Sequence, residues 1–350
     1  MQSLLLMSEK RILLREEVMP IPSRGEALIQ VEAVGICGAD ISWWKTPKHT
    51  LVSPDVPGHE FVGRVVQMPP GDWAIHAGDR VTADPMRTCG VCDDCISGYP
   101  NRCASTQLMG RGLCAGACAQ FICVPAESLY KINEDVDSSD AALAEPLAVS
   151  LHMLSNVEVE DGQDLNIAIF GAGLQGIFCL AQAKMLGIQK VACVDVDEWR
   201  LNFARKMGAD LVVNAQREDT VFRLREWTNK KGISVGIESA RPGITRNQLF
   251  HSMRKGGQVM LLGQYQSNEE SYFGLIVRNE LRLQGNYGYT RLNFARAVDL
   301  INSRSFSVSS FIRWMPFSMS PKAFEAASSP DEGYLKIMLR MAESSAELAA

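Results

Sequence analysis

The sequence predicts an α/β protein with a β-rich domain and a doubly wound parallel sheet. Three observations predict it. The chain has 350 residues, more than the roughly 250–300 at which a single hydrophobic core stops growing. Residues 1 to about 150 show short strands separated by Pro and Gly. From about residue 161, near-continuous apolar strands alternate with helical stretches, which is typical of a parallel sheet covered on both faces.

The first part of the chain has an all-β pattern. Its candidate strands are Glu26–Ala33, Glu60–Gln67 and Arg80–Ala83, each bounded by turn-forming residues. Because these segments are short and no long helical pattern lies between them, we expect this part to build its core from strands. We place this β-rich part of the chain at residues 1–150.

The second part alternates strands and helices. The candidate strands are Asn166–Phe170, Val191–Asp195, Leu211–Val213, Val235–Glu238, Gln258–Leu262 and Leu281–Gln284. The candidate helices are Gly173–Leu186, Glu198–Met207, Thr220–Lys230 and Thr245–Met253. Six such strands fit a doubly wound nucleotide-binding fold, which we place at 151–286. Residues 287–350 return to a mixed pattern, with a helix near Arg291–Ile301.

Composition excludes several classes of protein. With 46% hydrophobic and 21% charged residues, the chain is neither disordered, nor a coiled coil, nor collagen-like. A net charge of −5 gives no general attraction to nucleic acid or to an anionic membrane. The apolar stretch Ile167–Leu180 is interrupted and too short to span a bilayer, and the N-terminal apolar run is too short for a signal peptide. We therefore expect a cytoplasmic protein with reduced thiols.

Four clustered cysteines follow the pattern C-x2-C-x2-C-x7-C: Cys89, Cys92, Cys95 and Cys103. Four thiolates in one short lobe suit tetrahedral zinc, and a closed shell of four sulfurs indicates a structural site. Gly90 and Gly98 permit the turns between them, which lets backbone amides point at the sulfurs. An iron–sulfur cluster is the alternative that the lobe by itself leaves open.

A second set of candidate metal ligands is scattered in the sequence. It comprises Cys37, the pair His59-Glu60, and Glu145. One thiolate, one imidazole and one or two carboxylates can hold zinc and leave a position open for substrate. Asp40 could accept a hydrogen bond from the ring N–H of His59 and fix its tautomer. Each residue is a weak signal alone, so the hypothesis depends on their joint occurrence with the four-cysteine lobe.

A glycine-rich turn predicts a dinucleotide site. The motif Gly171-Ala-Gly173-Leu174-Gln175-Gly176 follows an apolar strand and opens a helix, which is the context that makes G-x-G-x-x-G informative. The glycines allow the pyrophosphate to approach a helix N-terminus. Asp195 ends the next strand, where an acid can hold the adenosine ribose and repel a 2′-phosphate, which favours NAD over NADP. Arg200 could lie along the same ribose, or it could admit NADP.

Together these motifs resemble the zinc-dependent medium-chain dehydrogenases, and within them the sorbitol (polyol) and threonine dehydrogenase branch. The likeness spans nearly the whole chain. The matching segments are Gly35-Ile-Cys37-Gly-Ala-Asp40, Gly58-His59-Glu60-Phe-Val-Gly63, Gly78-Asp79-Arg80-Val81, the four-cysteine lobe, Glu145-Pro146-Leu147, the glycine-rich turn and Gly333-Tyr-Leu-Lys336. The resemblance implies a GroES-like catalytic domain, built from both ends of the chain around an inserted Rossmann domain that binds NAD.

The resemblance also implies the roles of the ligands. A catalytic zinc would lie on Cys37, His59 and Glu60, with Glu145 as a fourth ligand or a water-linked neighbour. A structural zinc would lie on the four-cysteine lobe, which makes two zincs per chain. Members of the family are commonly dimers or tetramers, so we expect a homodimer or homotetramer.

The proton relay of this family is altered here. Relatives carry Ser or Thr two residues after the zinc cysteine and often His five residues after it, whereas this chain has Ala39 and Ser42. A position that is often arginine in the polyol branch is Gly288. The proton of the alcohol must still leave before a hydride can. The candidates to accept it are Ser42, Glu60, Glu145 or an ordered water.

The expected function is NAD-dependent oxidation of a secondary alcohol in a polyol, sugar or cyclitol-like substrate to a ketone. One alternative is a redox-neutral enzyme, an epimerase or lyase that works through a transient ketone, and it is motivated by Ala39. The other is a non-catalytic zinc protein that senses NAD. Residues that follow the ligand loop could line the substrate pocket: Trp43, Trp44, Lys45 and His49.

Overall fold

The computed structural model describes residues 1–7, 11–45, 56–112, 114–159, 165–240, 243–262, 273–329 and 333–341. The chain divides into two compact units. The first unit joins Met1–Glu145 to Thr290–Ala350, and the second unit is Pro146–Tyr289. The sequence placed the corresponding boundaries near residues 150 and 286.

Strands and helices have the following bounds along the chain. The strands are β1 (Gln2–Leu6), β2 (Ile12–Glu16), β3 (Glu26–Gly35), β4 (Glu60–Gln67), β5 (Arg80–Ala83), β6 (Met86–Arg87), β7 (Gln107–Leu108), β8 (Phe121–Pro125), β9 (Leu129–Lys131), β10 (Asn166–Phe170), β11 (Lys190–Asp195), β12 (Leu211–Asn214), β13 (Ile233–Glu238), β14 (Met253–Leu261), β15 (Arg282–Gly285), β16 (Ile312–Pro316) and β17 (Lys336–Arg340). The helices are α1 (Gly38–Lys45), α2 (Asp93–Ile96), α3 (Ser138–Ala142), α4 (Ala144–Ser155), α5 (Leu174–Met185), α6 (Glu198–Lys206), α7 (Thr220–Trp227), α8 (Gly243–Ser252), α9 (Phe273–Arg278), α10 (Arg291–Asn302) and α11 (Ser320–Ser328).

The first unit is organised around a mixed sheet in the order β16-β17-β3-β4-β5-β9, with β8 also paired to β3. Strand β17, the last among the described residues, pairs antiparallel with β3, which lies near the beginning of the chain. Apolar side chains such as Ile29, Val34, Phe61 and Ile337 are fully buried in its core. The pairing of β17 with β3 therefore brings residues from both ends of the chain to one sheet.

The second unit holds six parallel strands in the order β12-β11-β10-β13-β14-β15. Numbered from β10, this is the order 3-2-1-4-5-6 of a doubly wound sheet, so the predicted α/β fold is confirmed. Every residue of β10 is buried, as expected for a central strand covered on both faces. Strand β15 ends the sheet, and its four residues are exposed.

Two helices of the second unit, α6 and α7, begin after an aspartate whose side chain accepts from free backbone N–H groups. Asp197 accepts from the amides of Trp199 and Arg200 at the start of α6. Asp219 accepts from the amide of Phe222 at the start of α7. The apolar stretch 167–180 is divided between β10 and α5, and no described helix is long and apolar enough to cross a bilayer.

Candidate functional site

Three of the scattered ligand candidates meet in the first unit. Cys37 follows β3, and His59 directly precedes Glu60, the first residue of β4. Antiparallel pairing sets Gly35 opposite Glu60, which brings the two segments together. The Cys37 sulfur, a His59 ring nitrogen and a Glu60 carboxylate oxygen all lie within 4.8 Å of one another. Three such donors are the set that a catalytic zinc site provides when one position is kept for substrate.

Asp40 lies behind His59 and is almost fully buried. Its Oδ2 accepts a hydrogen bond of 3.1 Å from the Cys37 amide, and its Oδ1 lies 3.6 Å from Nδ1 of His59. Among the described residues, neither that oxygen nor Nδ1 has a hydrogen-bond partner. A metal on the other ring nitrogen would leave Nδ1–H as a donor, and the Asp40 carboxylate, 3.6 Å away, is placed to accept from it. The residues present therefore fit a bound metal.

The Cys37 thiol also fits a cation. Burial raises its pKa well above the ordinary value for cysteine, and the Glu60 carboxylate raises it further. A thiolate there is unfavourable without a positive charge beside it. A divalent cation on Cys37, His59 and Glu60 would supply that charge.

Lys336 pairs with Glu60, and sequence reasoning missed this contact. The ammonium group of Lys336, at the start of β17, donates to both carboxylate oxygens of Glu60, and both side chains are buried. Burial alone would lower the pKa of Lys336, but Glu60 and Cys37 raise it overall. The signal in the sequence was a lone lysine heading an apolar strand.

Glu145, the second residue of α4, belongs to the same group of charges. Burial raises its pKa to about 7, while His59 opposes that shift and Glu60 adds to it. Its carboxylate is not one of the three donors that lie within 4.8 Å of one another. The structure thus places Glu145 beside the candidate metal ligands without adding it to their group.

The altered relay positions lie on helix α1. The amide of Ala39 donates to the Cys37 sulfur at 3.4 Å, and Ser42 is exposed. Trp44 is buried edge-on against Phe324, with ring centroids 6.1 Å apart, so it belongs to the core. His49 lies outside the described residues.

The four cysteines of the lobe converge around helix α2: Cys89, Cys92, Cys95 and Cys103. Their sulfurs lie within 4.8 Å of one another, with 3.5 Å between those of Cys103 and Cys89. Hydrogen bonds from the amides of Val91 and Cys92 lower the pKa of Cys89 to about 6. Four sulfurs that lie this close together suit a tetrahedral metal site with four sulfur ligands.

In the second unit the glycine-rich turn joins β10 to α5. A Cβ on Gly176 would overlap the carbonyl oxygen of Gly171, so this position requires glycine. Gly173 is the N-cap of α5, and Leu174 is buried in its first turn. The Gln175 side chain accepts a hydrogen bond of 2.6 Å from Ser150, which fixes the turn to α4. The free amides at the start of α5 can bind a pyrophosphate.

Asp195 ends β11 beside this turn. Its carboxylate accepts from the amide of Ala172 at 2.6 Å and from the amides of Val196 and Asp197. The side chain of Arg200 lies 3.8 Å from the carboxylate of Asp197. The predicted acid therefore lies at the edge of the glycine-rich turn, whereas the arginine is paired with Asp197, the N-cap of α6.

Comparison with known proteins gives two family matches. Residues 23–134 match the alcohol dehydrogenase GroES-like domain, and residues 176–303 match the zinc-binding dehydrogenase family. The expected combination of a GroES-like domain and a Rossmann domain is confirmed.

Several curated proteins are similar over most of the chain. An uncharacterized zinc-type alcohol dehydrogenase-like protein, YdjJ of Escherichia coli, is 30% identical over 93% of this chain and 94% of its own length. L-threonine 3-dehydrogenase of Anaeromyxobacter dehalogenans is 32% identical over 80% of this chain and 81% of its own. Sorbitol dehydrogenase of Bacillus subtilis is 29% identical, covering 82% of each chain.

Two solved structures are also similar throughout. A zinc-binding dehydrogenase of Sinorhizobium meliloti bound to NADP has a TM-score of 0.88 and 27% identity, covering 97% of this chain and 98% of that one. L-idonate 5-dehydrogenase of E. coli has a TM-score of 0.87 and 25% identity, covering 97% of each chain.

Proposed function

Because this chain belongs to the zinc-dependent medium-chain dehydrogenases, in the branch of the sorbitol and threonine dehydrogenases, we propose that it oxidises a secondary alcohol of a polyol, sugar or cyclitol-like compound to a ketone, with NAD as hydride acceptor. Membership makes it a zinc-type alcohol dehydrogenase, an oxidoreductase, so the non-catalytic alternative is set aside. The observation that carries the proposal is the convergence of Cys37, His59 and Glu60 in a chain that also carries the glycine-rich turn.

Cys37, His59 and Glu60 are the proposed ligands of the catalytic zinc. Bound there, zinc supplies Lewis-acid chemistry that lowers the pKa of a hydroxyl group, and NAD supplies a hydride acceptor. Asp40 orients the His59 ring through Nδ1, and Lys336 holds the Glu60 carboxylate through both oxygens. These contacts keep the donors in place before substrate binds.

Oxidation removes a hydride from carbon and a proton from oxygen, and the proton needs an acceptor. Ala39 offers none, Ser42 is exposed, and Glu60 is held by Lys336. Glu145 is the remaining candidate side chain, and its charge interacts with those of His59 and Glu60. A carboxylate in this place can accept the proton. We therefore assign the proton to the Glu145 carboxylate.

The cofactor is proposed to be NAD rather than NADP. Asp195 presents its charge at the end of β11, where a 2′-phosphate would meet repulsion, and Arg200 is already paired with Asp197. The S. meliloti neighbour is bound to NADP, so the preference needs measurement. We expect kcat/KM to be at least about tenfold higher with NAD, because opposed like charges cost several kcal/mol. Equal values would contradict this assignment.

The four-cysteine lobe is proposed to hold a second, structural zinc, which gives two per chain. We also propose a homodimer or homotetramer in the cytoplasm, where thiols stay reduced. Support for self-association comes from β15, an exposed edge strand that carries Leu283 at 39% exposure. Open strand edges pair readily with another chain. Light scattering after size exclusion should give two or four times the mass of 38.5 kDa.

The test of the proposed function is spectrophotometric. The zinc-loaded protein should form NADH from members of a polyol and sugar panel, with two zincs per chain by elemental analysis. A zinc-free Cys37→Ser variant that keeps full turnover would overturn it. The redox-neutral alternative rests on Ala39 and predicts conversion of substrate without net NADH.

The names of the relatives include both uncharged and charged substrates. The relatives include dehydrogenases named for sorbitol, which is uncharged, and for L-threonine and L-idonate, which each carry a carboxylate.

A further inference from the structure

Arg111 is held beside the candidate metal ligands by a tight turn. Its amide donates to Leu108, and the amide of Gly110 donates to Cys114. Gly110 has a φ of +80°, and a Cβ on it would lie 2.9 Å from the amide nitrogen of Gly58. Only glycine fits such a close approach. The turn is therefore packed against the residue that precedes His59, which fixes the position of Arg111.

The guanidinium of Arg111 lies close to Asp40, next to the candidate metal ligand His59. Its Nη2 lies 3.5 Å from Oδ1 of Asp40, the carboxylate behind His59. Its Cζ lies 5.1 Å from the centre of the Trp43 ring on α1. The side chain is 19% exposed, so most of it is withdrawn from solvent. An aromatic face and a carboxylate together hold this cation in place.

These contacts leave part of the guanidinium unsatisfied. Among the described residues, Nη1 is buried and has no hydrogen-bond partner. The Asp40 oxygen is 3.5 Å away, beyond the usual 2.7–3.2 Å of an N–H···O bond, and the same carboxylate already serves Cys37 and faces His59. Buried donors without a partner are rare, and each one calls for an explanation such as a missing ion or ligand.

We propose that Arg111 binds an anionic group, a carboxylate or a phosphate, carried by the alcohol substrate. The substrate class is then an acidic polyol, either a sugar acid or a polyol phosphate. A planar guanidinium suits both groups, because its N–H donors match two oxygens of either one. This inference rests on the proposed function, which supplies the alcohol, and it adds the charge that the alcohol carries.

The experiment compares matched substrates on matched variants. Sorbitol, xylitol and erythritol are each tested beside the corresponding aldonate and terminal phosphate, with NAD and with the zinc-loaded enzyme. The variants are Arg111→Gln, Arg111→Lys and, as a control, Arg313→Gln. Arg313 lies in the same unit, also over an aromatic ring, that of Tyr334. The control therefore removes the same charge away from the metal ligands.

The wild type should have a higher kcat/KM for the aldonates or for the phosphates than for the neutral polyols. Whichever of the two classes gives the higher value identifies the anionic group, carboxylate or phosphate, that Arg111 binds. Arg111→Gln should raise KM and lower kcat/KM for that acidic class by about 10- to 100-fold, the range of a hydrogen bond between charged groups. It should change kcat/KM for the neutral polyols by less than about twofold, as should the control. Arg111→Lys should keep part of the preference, because it retains the charge without the planar fork.

Four results would overturn the inference. They are a wild type with no preference for acidic substrates, an equal loss on neutral and acidic substrates, a rise in KM for NAD instead of for the alcohol, and an unchanged preference in Arg111→Gln. An equal loss would make Arg111 a positioning residue for Asp40. Should no alcohol be oxidised, the proposed function fails, and calorimetric binding of gluconate and of sorbitol phosphate to zinc-loaded wild type and Arg111→Gln still decides the inference.

Discussion

The first unit contains two clusters of candidate metal ligands, and they are built in opposite ways. The four-cysteine lobe takes all its sulfurs from one short segment, and Cys89 is exposed. The cluster of Cys37, His59 and Glu60 is buried or partly buried, joins separate segments, and is surrounded by charged side chains. The lobe depends on local backbone geometry, whereas the buried cluster depends on distant charged partners.

Cys89 of the lobe and Cys37 of the buried cluster have thiol pKa values shifted in opposite directions. Backbone amides lower the pKa of Cys89 to about 6, so the lobe favours a thiolate at neutral pH before any metal arrives. Burial raises the pKa of Cys37 well above its ordinary value. The Cys37 thiol therefore stays protonated until a further cation lies beside it, and metal binding there would release its proton.

The largest expected effect comes from Cys37→Ser. It removes a ligand of the proposed catalytic zinc, and a Lewis acid contributes several kcal/mol, so we expect kcat to fall by about 10³-fold or more. Elemental analysis should show that one zinc is lost while the lobe keeps its own. Cys123→Ser, which changes a cysteine outside both clusters, is the control and should retain activity. Turnover that survives in Cys37→Ser would contradict the proposal that the buried cluster holds the catalytic zinc.

Lys336→Met tests the charges around the buried cluster. In the metal-free protein it leaves the Glu60 carboxylate buried without its cation, so urea unfolding should show a loss of about 3–5 kcal/mol. The double variant Glu60→Gln with Lys336→Met removes both charges and should recover most of that loss. A single variant as stable as the wild type would show that the pair does not compensate the buried charge.

Asp40→Asn should lower the zinc affinity of the buried cluster and leave that of the four-cysteine lobe unchanged. Because this carboxylate is the proposed acceptor that orients His59, its replacement should weaken zinc binding at the buried cluster by about 10- to 100-fold. Competition with a chelator measures this, and the affinity of the four-cysteine lobe serves as the internal control. Equal weakening of both zincs would mean that the substitution acts on the whole unit.

Cys92→Ser tests the other side of the comparison. It should lose one zinc and lower the melting temperature, because a structural metal contributes to folding. The kcat/KM of the folded fraction should change by no more than about twofold, since the lobe takes no part in the proposed chemistry. A loss of activity as large as that of Cys37→Ser would show that the two sites are not functionally distinct.

Glu134→Gln gives the smallest effect and a baseline for an exposed charge pair. Arg64 lowers the pKa of Glu134, so the carboxylate stabilises the fold above its ordinary pKa of 4.5 and loses that contribution as pH falls through the lowered value. We expect the free energy of unfolding to fall by less than about 1 kcal/mol at neutral pH. The difference from wild type should vanish in strong acid, and a difference that grows there would contradict the assignment.

Local patterns made much of the molecule predictable. The alternation of apolar strands and helices gave all six strands of the parallel sheet, and short motifs gave the residues that converge in both clusters. Strand β14 begins earlier than predicted, because it continues directly from the end of α8.

Long-range charge pairing could not be predicted in the same way. Lys336 meets Glu60 across 276 positions, and no pattern within a single segment encodes such a contact. Arg111 could not be predicted as a site residue, because a lone arginine between two glycines is typical of an exposed turn. The sequence predicts Glu145 as a fourth zinc ligand or a water-linked neighbour, and which of the two it is depends on the packing of α4 and not on its motif.

The pairing of β17 with β3 has a consequence for how the protein is made. A ribosome delivers Cys37, His59 and Glu60 first, then the whole of the second unit, and Lys336 only afterwards. Since domains fold as they emerge, the six-stranded unit can be complete while Glu60 still lacks its ammonium partner. During that stage of synthesis the Glu60 carboxylate lacks the ammonium group that holds both of its oxygens in the finished protein.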